Sequence, residues 1–224
     1  MHAILFDIDG TLINTRGAGS AALHSAMVDA FGCDQQHRVE MSGRTDRAIV
    51  RDLFQAHNVE DTDANWQTLS EHYLTHLPVT LAQKDGFVIR GIPELLDVLT
   101  PRDDIFMGLL TGNTTRGAEL KLSHFGLWEH FSFGGYGDWH HDRDSVAVDA
   151  VARLRDIADI PADRITVIGD TPHDITCARH IGAKAVAVLT GWHTREELAA
   201  TNPDHLLDNL ADTDAVLSLL ELSA

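Results

Sequence analysis

The chain has 224 residues, 44% hydrophobic and 23% charged, which excludes a disordered or collagen-like polymer and suits one generous domain, or a domain with a smaller insert. Against 17 Lys and Arg stand 34 Asp and Glu, a formal charge of −17. Such a surface repels phosphodiester backbones, so nucleic acid is not an expected partner, and any phosphate-handling site here needs a cation to offset the acidity.

Residues 3–8 form a short apolar run that predicts a buried strand, broken at Asp9-Gly10-Thr11. Over 17–31, Ala18, Ala21, Ala22, Met27, Val28 and Phe31 recur at helical spacing, and Gly32 is the stop. Residues 46–57 predict a second helix with Ile49, Val50, Leu53 and Phe54 on one face. A third is expected over 64–77, with Trp66, Leu69, Tyr73, Leu74 and Leu77 as core and Pro78 at its end. Beyond Phe87-Val88-Ile89, Pro93 opens a short helix. Strands follow at 105–110, 131–133, 165–168 and 185–189. Between and after them, helices are expected at 118–124, 145–157, 174–181, 195–200 and 211–222.

Short apolar strands alternating with helices predict an α/β fold, a doubly wound parallel sheet with helices on both faces. The helical block at 15–85 interrupts that alternation and reads as an insert, leaving 1–14 and 86–224 as the core. Cys33 and Cys177 lie far apart and suggest no disulfide framework. The first residues lack the basic start of a signal peptide, and no stretch nears the ~20 apolar residues that span a bilayer. A cytoplasmic protein without a membrane partner is therefore expected. The fourteen histidines read as scattered, with no zinc pattern.

Three polar clusters each follow a predicted strand: Asp7-Ile8-Asp9-Gly10-Thr11, Thr111-Gly112-Asn113 and Gly169-Asp170 through Asp174. In a parallel sheet all strand carboxyl ends lie on one edge, so the clusters can meet. Alternation sends Asp7 and Asp9 to one side, where two carboxylates require a proton or a cation between them. One suits a nucleophile and the other a proton donor. Gly10 permits a sharp turn, although an Asp-x-Asp-Gly run also occurs in calcium loops and plain acidic turns. Asp170 and Asp174 add hard oxygen donors suited to Mg²⁺, and Asp174 is also placed to cap the following helix. Thr111, Gly112 and Asn113 offer neutral donors for phosphoryl oxygens, or a plain helix cap.

Together these motifs resemble the haloacid dehalogenase superfamily, in its phosphoglycolate phosphatase-like branch; the stretches 133–143 and Ile181-Gly182-Ala183 resemble that branch as well. The resemblance implies a Rossmann-like core with an inserted helical cap. It also implies a Mg²⁺-dependent phosphatase acting on a small phosphorylated metabolite, as a monomer or homodimer. Asp7 would form a phosphoaspartate, and Asp9 would protonate the leaving oxygen and then activate water. Asp7, Asp9 (through its carbonyl) and Asp170 would hold the metal, with Asp174 in support. Gly10, Thr11, Thr111, Gly112 and Asn113 would surround the phosphoryl group. The family's third motif is usually a lysine opening a helix. Arg143 stands at that place and is favoured over Lys121, which lies well inside its helix. Arg44, ahead of Arg16 and Arg47, is the candidate for a second anionic group on the substrate. A phosphosugar mutase would use the same core residues. A non-catalytic module is disfavoured because Asp7, Asp9, Thr111 and Asp170 are all present.

Overall fold

The computed structural model describes residues 1–221. The chain begins with β1 (His2–Phe6) and β2 (Ile13–Asn14), then runs through α1 (Ala18–Phe31), α2 (Asp46–His57) and α3 (Asp63–Gln83). It returns by β3 (Phe87–Val88) to α4 (Ile92–Leu99), β4 (Ile105–Leu110), α5 (Thr115–His124), β5 (Phe133–Gly135) and α6 (Arg143–Arg155). The last part is β6 (Ile165–Gly169), α7 (Pro172–His180), β7 (Lys184–Val188), α8 (Arg195–Ala200), β8 (His205–Leu207) and α9 (Thr213–Leu219).

Six strands form a parallel sheet in the order β5-β4-β1-β6-β7-β8. The central strand pairs on both sides, with Leu5 opposite Gly108 in β4 and Val167 in β6. Its alternation sorts the core into two layers. Ile4 and Phe6 join Leu95, Leu122 and Val216, whereas Ala3 and Leu5 join Val146, Ile175 and Leu198. Helices therefore cover both faces. The chain works outward from β1 to β4 and β5, then crosses back to β6. That reversal opens a crevice beyond the carboxyl ends of β1, β4 and β6.

The helices α1–α3 carry an apolar cluster of their own, including Ala22, Ala26, Met27, Val50, Phe54, Leu69 and Leu77. The chain enters and leaves this block through β2 and β3, which pair antiparallel, Ile13 opposite Val88 and Asn14 opposite Phe87. At the start of α2, Asp46 N–H donates to Gly112 O (2.7 Å), and Thr114 N–H donates to Asp46 Oδ2 (2.8 Å). The helical block is thereby tied to the loop after β4.

Several expectations are corrected. Pro78 does not end α3, which continues to Gln83. Proline in a helix interior costs about 3 kcal/mol, but Leu77, Thr80 and Leu81 are buried around it and anchor the following turn. Strand β5 lies two residues beyond the expected 131–133. Gly134 and Gly135 permit close packing, and a Cβ at Gly135 would fall on Val146 O; Phe131 packs instead against Phe6, with ring centroids 5.9 Å apart. Strands β2, β3 and β8 are too short for a hydrophobic pattern to announce. The final helix expected over 211–222 is α9, and residue 222 lies outside the described residues. The histidines are not all scattered. His72 and His76 stand one turn apart on α3, and one donor atom from each lies within 4.8 Å of the other and of an Asp29 carboxylate oxygen on α1. His76 Nε2 is 2.7 Å from Asp29 Oδ2. Both cysteines are free, and among the described residues no helix is long and apolar enough to cross a membrane.

Candidate active site

Asp7 follows β1, Thr111 follows β4 and Asp170 follows β6, so three strand ends deliver the three polar clusters to one rim. Asp7 N–H donates to Ile168 O (3.0 Å) and Thr111 N–H to Gly135 O (3.1 Å), which extends the sheet's order into the loops. Asp7, Asp9, Thr111, Asn113, Arg143 and Asp170 all line one cavity of about 590 Å³.

Asp7, Asp170 and Asp174 are buried, with donor atoms within 4.8 Å of one another. Burial, then the charge of Asp174, pushes the Asp7 carboxyl up to about 7, against the pull of Arg143. Asp170 is likewise raised well above the carboxylate range, by burial and then by Asp7 and Asp174. Three buried carboxylates repel one another unless a proton or a cation intervenes. The donor set is all oxygen and compact, which fits a hard divalent cation such as Mg²⁺.

Arg143 opens α6, where Asp142 caps the helix by accepting from Ser145 N–H. Its guanidinium is buried. Nη1 and Nη2 donate to Asp7 Oδ1 (3.1 and 3.2 Å), and Nη2 also donates to Leu110 O (2.9 Å) and Asp174 Oδ1. Burial opposes its charge, but Asp174 and Asp7 outweigh that and hold it charged. Among the described residues, Arg143 Nε is the one buried side-chain nitrogen or oxygen without a hydrogen-bond partner.

A second network stands beside the first. Lys121 Nζ donates to Asp9 Oδ2 and to Asn113 Oδ1, both at 2.6 Å. Asn113 Nδ2 donates to Asp9 Oδ2 (2.9 Å) and Thr111 Oγ1 (2.8 Å). The Asp9 carboxylate remains 40% exposed, whereas the Lys121 side chain is only 6% exposed. Burial works against the ammonium, but Asp9, Tyr73 and Asp46 outweigh it and raise its pKa. Arg143 and Lys121 are therefore not alternatives: one serves Asp7 and the other Asp9. Setting Lys121 against Arg143 as rivals for one role missed a signal in α5, whose buried face is Gly117, Ala118, Lys121 and Leu122.

Other expected residues divide. Gly10 lines the cavity at φ +91°, and a Cβ there would collide with the Asp170 carboxylate. Gly112 also lines it, pressed against Arg44 O. Thr11, expected at the substrate, is fully buried, and its hydroxyl donates to Asp170 Oδ1 (3.1 Å). Asp174 is not the N-cap of α7, which is Thr171; it lies inside the helix and completes the capping box, its Oδ2 accepting from Thr171 N–H (3.0 Å) and Thr171 Oγ1 (2.7 Å). Arg44 lines the cavity, but its guanidinium is bound to Asp52 (2.8 Å) and to the carbonyls of Glu40 and Ala48. Arg16 stacks on Phe87, and Arg47 stacks on Trp66 and pairs with Asp63. Sequence reasoning missed Asp46, whose carboxyl burial pushes up to about 6, and the Gly191-Trp192 loop at the cavity. Asp46 opens a helix of the insert, and the Gly191-Trp192 loop, although it follows β7, carries no acidic motif.

The family model for haloacid dehalogenase-like hydrolases matches residues 4–188. The chain is 29% identical to a phosphoglycolate phosphatase of Synechococcus elongatus, over 95% of each chain. It is 27% identical to a 5′-nucleotidase of Pseudomonas aeruginosa, over 96% of this chain and 94% of that one. Among solved structures, CbbY from Rhodobacter sphaeroides in complex with phosphate has a TM-score of 0.76 at 20% identity, covering 95% of this chain and 96% of that one. A hydrolase from Pseudomonas syringae has a TM-score of 0.74 at 21% identity, with both chains fully covered. These structural likenesses speak for the fold, and the family match speaks for descent. The chain belongs to the haloacid dehalogenase-like hydrolases.

Proposed function

We propose that this hydrolase is a Mg²⁺-dependent phosphatase that cleaves a small phosphorylated metabolite through a phosphoaspartate on Asp7. The observation that carries the reading is the arrangement at Asp7. It is a buried carboxylate with both Arg143 contacts on Oδ1, beside Asp170 and within the same cavity as Asp9. That leaves Oδ2 to attack phosphorus as the ester P–O bond breaks. Asp9 delivers a proton to the departing oxygen, then takes one from the water that cleaves the aspartyl–phosphorus bond and releases inorganic phosphate. Lys121 and Asn113 both hold Asp9 by Oδ2, so Oδ1 is the atom that carries the proton.

Thr111 Oγ1 accepts from Asn113 N–H and Nδ2, which leaves its own hydrogen to donate to a phosphoryl oxygen. Asp7, the Asp9 carbonyl and Asp170 would hold Mg²⁺, with Asp174 and Thr11 keeping the carboxylates in place. When bound, the ion would supply positive charge for a phosphoryl group and offset the acidic rim. Residues 15–85 form the cap and 1–14 with 86–224 the core, with the β2–β3 ribbon between them. A closed cap keeps bulk water from the first step.

The test is a single-turnover reaction with a ³²P-labelled phosphomonoester. Label is expected on the protein in Asp9→Asn and absent in Asp7→Asn, and Asp7→Asn should lose about 10³-fold or more in turnover with the fold retained by circular dichroism. EDTA should silence the enzyme and Mg²⁺ restore it. Release of inorganic phosphate separates this reading from a mutase, in which a sugar hydroxyl takes the phosphoryl group instead of water.

A further inference from the structure

We propose that the alcohol released from the phosphoryl group carries a flat, apolar ring, seated against the cap helices at Trp66; this deepens the phosphatase reading and rests on it. The first argument is size. A cavity of about 590 Å³ lies within the range of about 300–1,000 Å³ that encloses drug-sized ligands. A two-carbon acid phosphate would leave much of that volume as water against apolar walls.

The second argument is the wall itself. Leu23 comes from α1, Ile49 and Val50 from α2, and Trp66, Leu69 and Tyr73 from α3. All three helices of the insert thus turn apolar side chains to the cavity. Leu69 and Tyr73 also belong to the insert's apolar cluster and are held by it. Trp66 is only partly buried. The Arg47 guanidinium lies 4.8 Å from its ring centroid and is itself fastened to Asp63 at 2.6 Å. The indole is clamped from outside while lining the cavity, so it presents an ordered aromatic surface, which favours a ring partner.

The third argument is charge. On the cap side, Arg44 is occupied by Asp52 and two carbonyls, and on the core side Lys121 is spent on Asp9. Arg38 also lines the cavity, as an exposed loop residue. Glu40 and Asp46 line it as well. A second carboxylate or phosphate on the leaving group would meet these carboxylates and paired cations, with the exposed Arg38 as the remaining counter-charge. A neutral ring would meet hydrocarbon and indole.

The experiment compares kcat/KM of the wild-type, Mg²⁺-loaded enzyme on four alkyl phosphomonoesters: 2-phenylethyl phosphate, a nucleoside 5′-monophosphate, ethyl phosphate and phosphoglycolate. All four have primary alcohol leaving groups, so the reacting bond varies little. At least one ring-bearing ester should exceed phosphoglycolate by about tenfold or more, the size expected of ring burial and stacking. Trp66→Leu should shrink that ratio several-fold, with circular dichroism confirming the fold; an unchanged ratio overturns the seat at Trp66. Phosphoglycolate equal to or better than both ring esters overturns the inference and leaves the phosphatase standing. Phosphate release from none of the four overturns the phosphatase reading itself.

Discussion

The two sides of the cavity are built on opposite terms. On the core side the working groups are ionisable and paired, and all but the half-exposed Asp9 are buried: Arg143 with Asp7 and Asp174, Lys121 with Asp9. On the cap side all three helices bring apolar side chains to the lining, among polar loop residues, and Arg44 and Arg47 are turned to Asp52 and Asp63. The difference teaches where each kind of energy is used. Strand ends are rigid enough to hold charges in the fixed geometry that repays their desolvation. Helices with an apolar cluster of their own supply surface whose shape is set by side-chain size.

Arg143 is where this comparison breaks most sharply. Arg143→Ala should cost about 3–5 kcal/mol in unfolding free energy, because Asp7 and Asp174 are left buried and unpaired. Arg143→Lys should recover much of that loss, since the charge returns and the unpartnered Nε–H disappears. Urea denaturation of both variants measures this, and equal losses would mean that packing rather than charge holds the site.

On the cap side the corresponding cost is a void. Leu77 is fully buried in the insert's cluster, so Leu77→Ala should cost about 2–5 kcal/mol. The substitution removes no charge, so its cost should be the same at pH 6 and pH 8. A strongly pH-dependent cost would join the two sides energetically.

The smallest effect is expected at the seam. Asp46 belongs to α2, accepts from Thr114 N–H, and has a pKa raised by burial to about 6. A raised folded-state carboxyl binds more protons than the unfolded chain, so its contribution to stability grows as pH falls from 7 to 5. One titrating group over that interval contributes about 1 kcal/mol. Asp46→Asn should lack this increment, and unfolding free energies of the two proteins at pH 7 and pH 5 measure the difference. Parallel pH profiles would show that Asp46 titrates normally and that the seam is wet.

Much of the site was legible because chemistry and topology agree. Asp7, Thr111 and Asp170 each stand just past an apolar run, and parallel strands leave such residues no choice but one edge. Arg143 was legible because it stands where the resembled family's third motif opens a helix. Lys121 was set below Arg143 as an alternative for one role because it lies well inside its helix; its shared face with Ala118 and Leu122 marked it as buried. Thr11 was misread, as a polar residue in a motif that serves its neighbour Asp170 rather than a ligand. Pro78 shows that local propensity yields when buried neighbours on both sides hold the helix together.

By itself the order of residues determined the parallel sheet, the inserted helices and the three acidic and hydroxyl clusters at one rim. Periodicity of two or of about 3.6, and the shared direction of parallel strands, are properties of the backbone that any such pattern imposes. Only the tertiary structure decided which cation serves which aspartate, that Arg44 is bound to Asp52, and that Trp66 and Tyr73 line a cavity as well as a core. Those outcomes depend on distances between residues far apart in the chain, where the cost of burying a charge or leaving apolar surface wet is settled by whatever neighbour packing brings within reach.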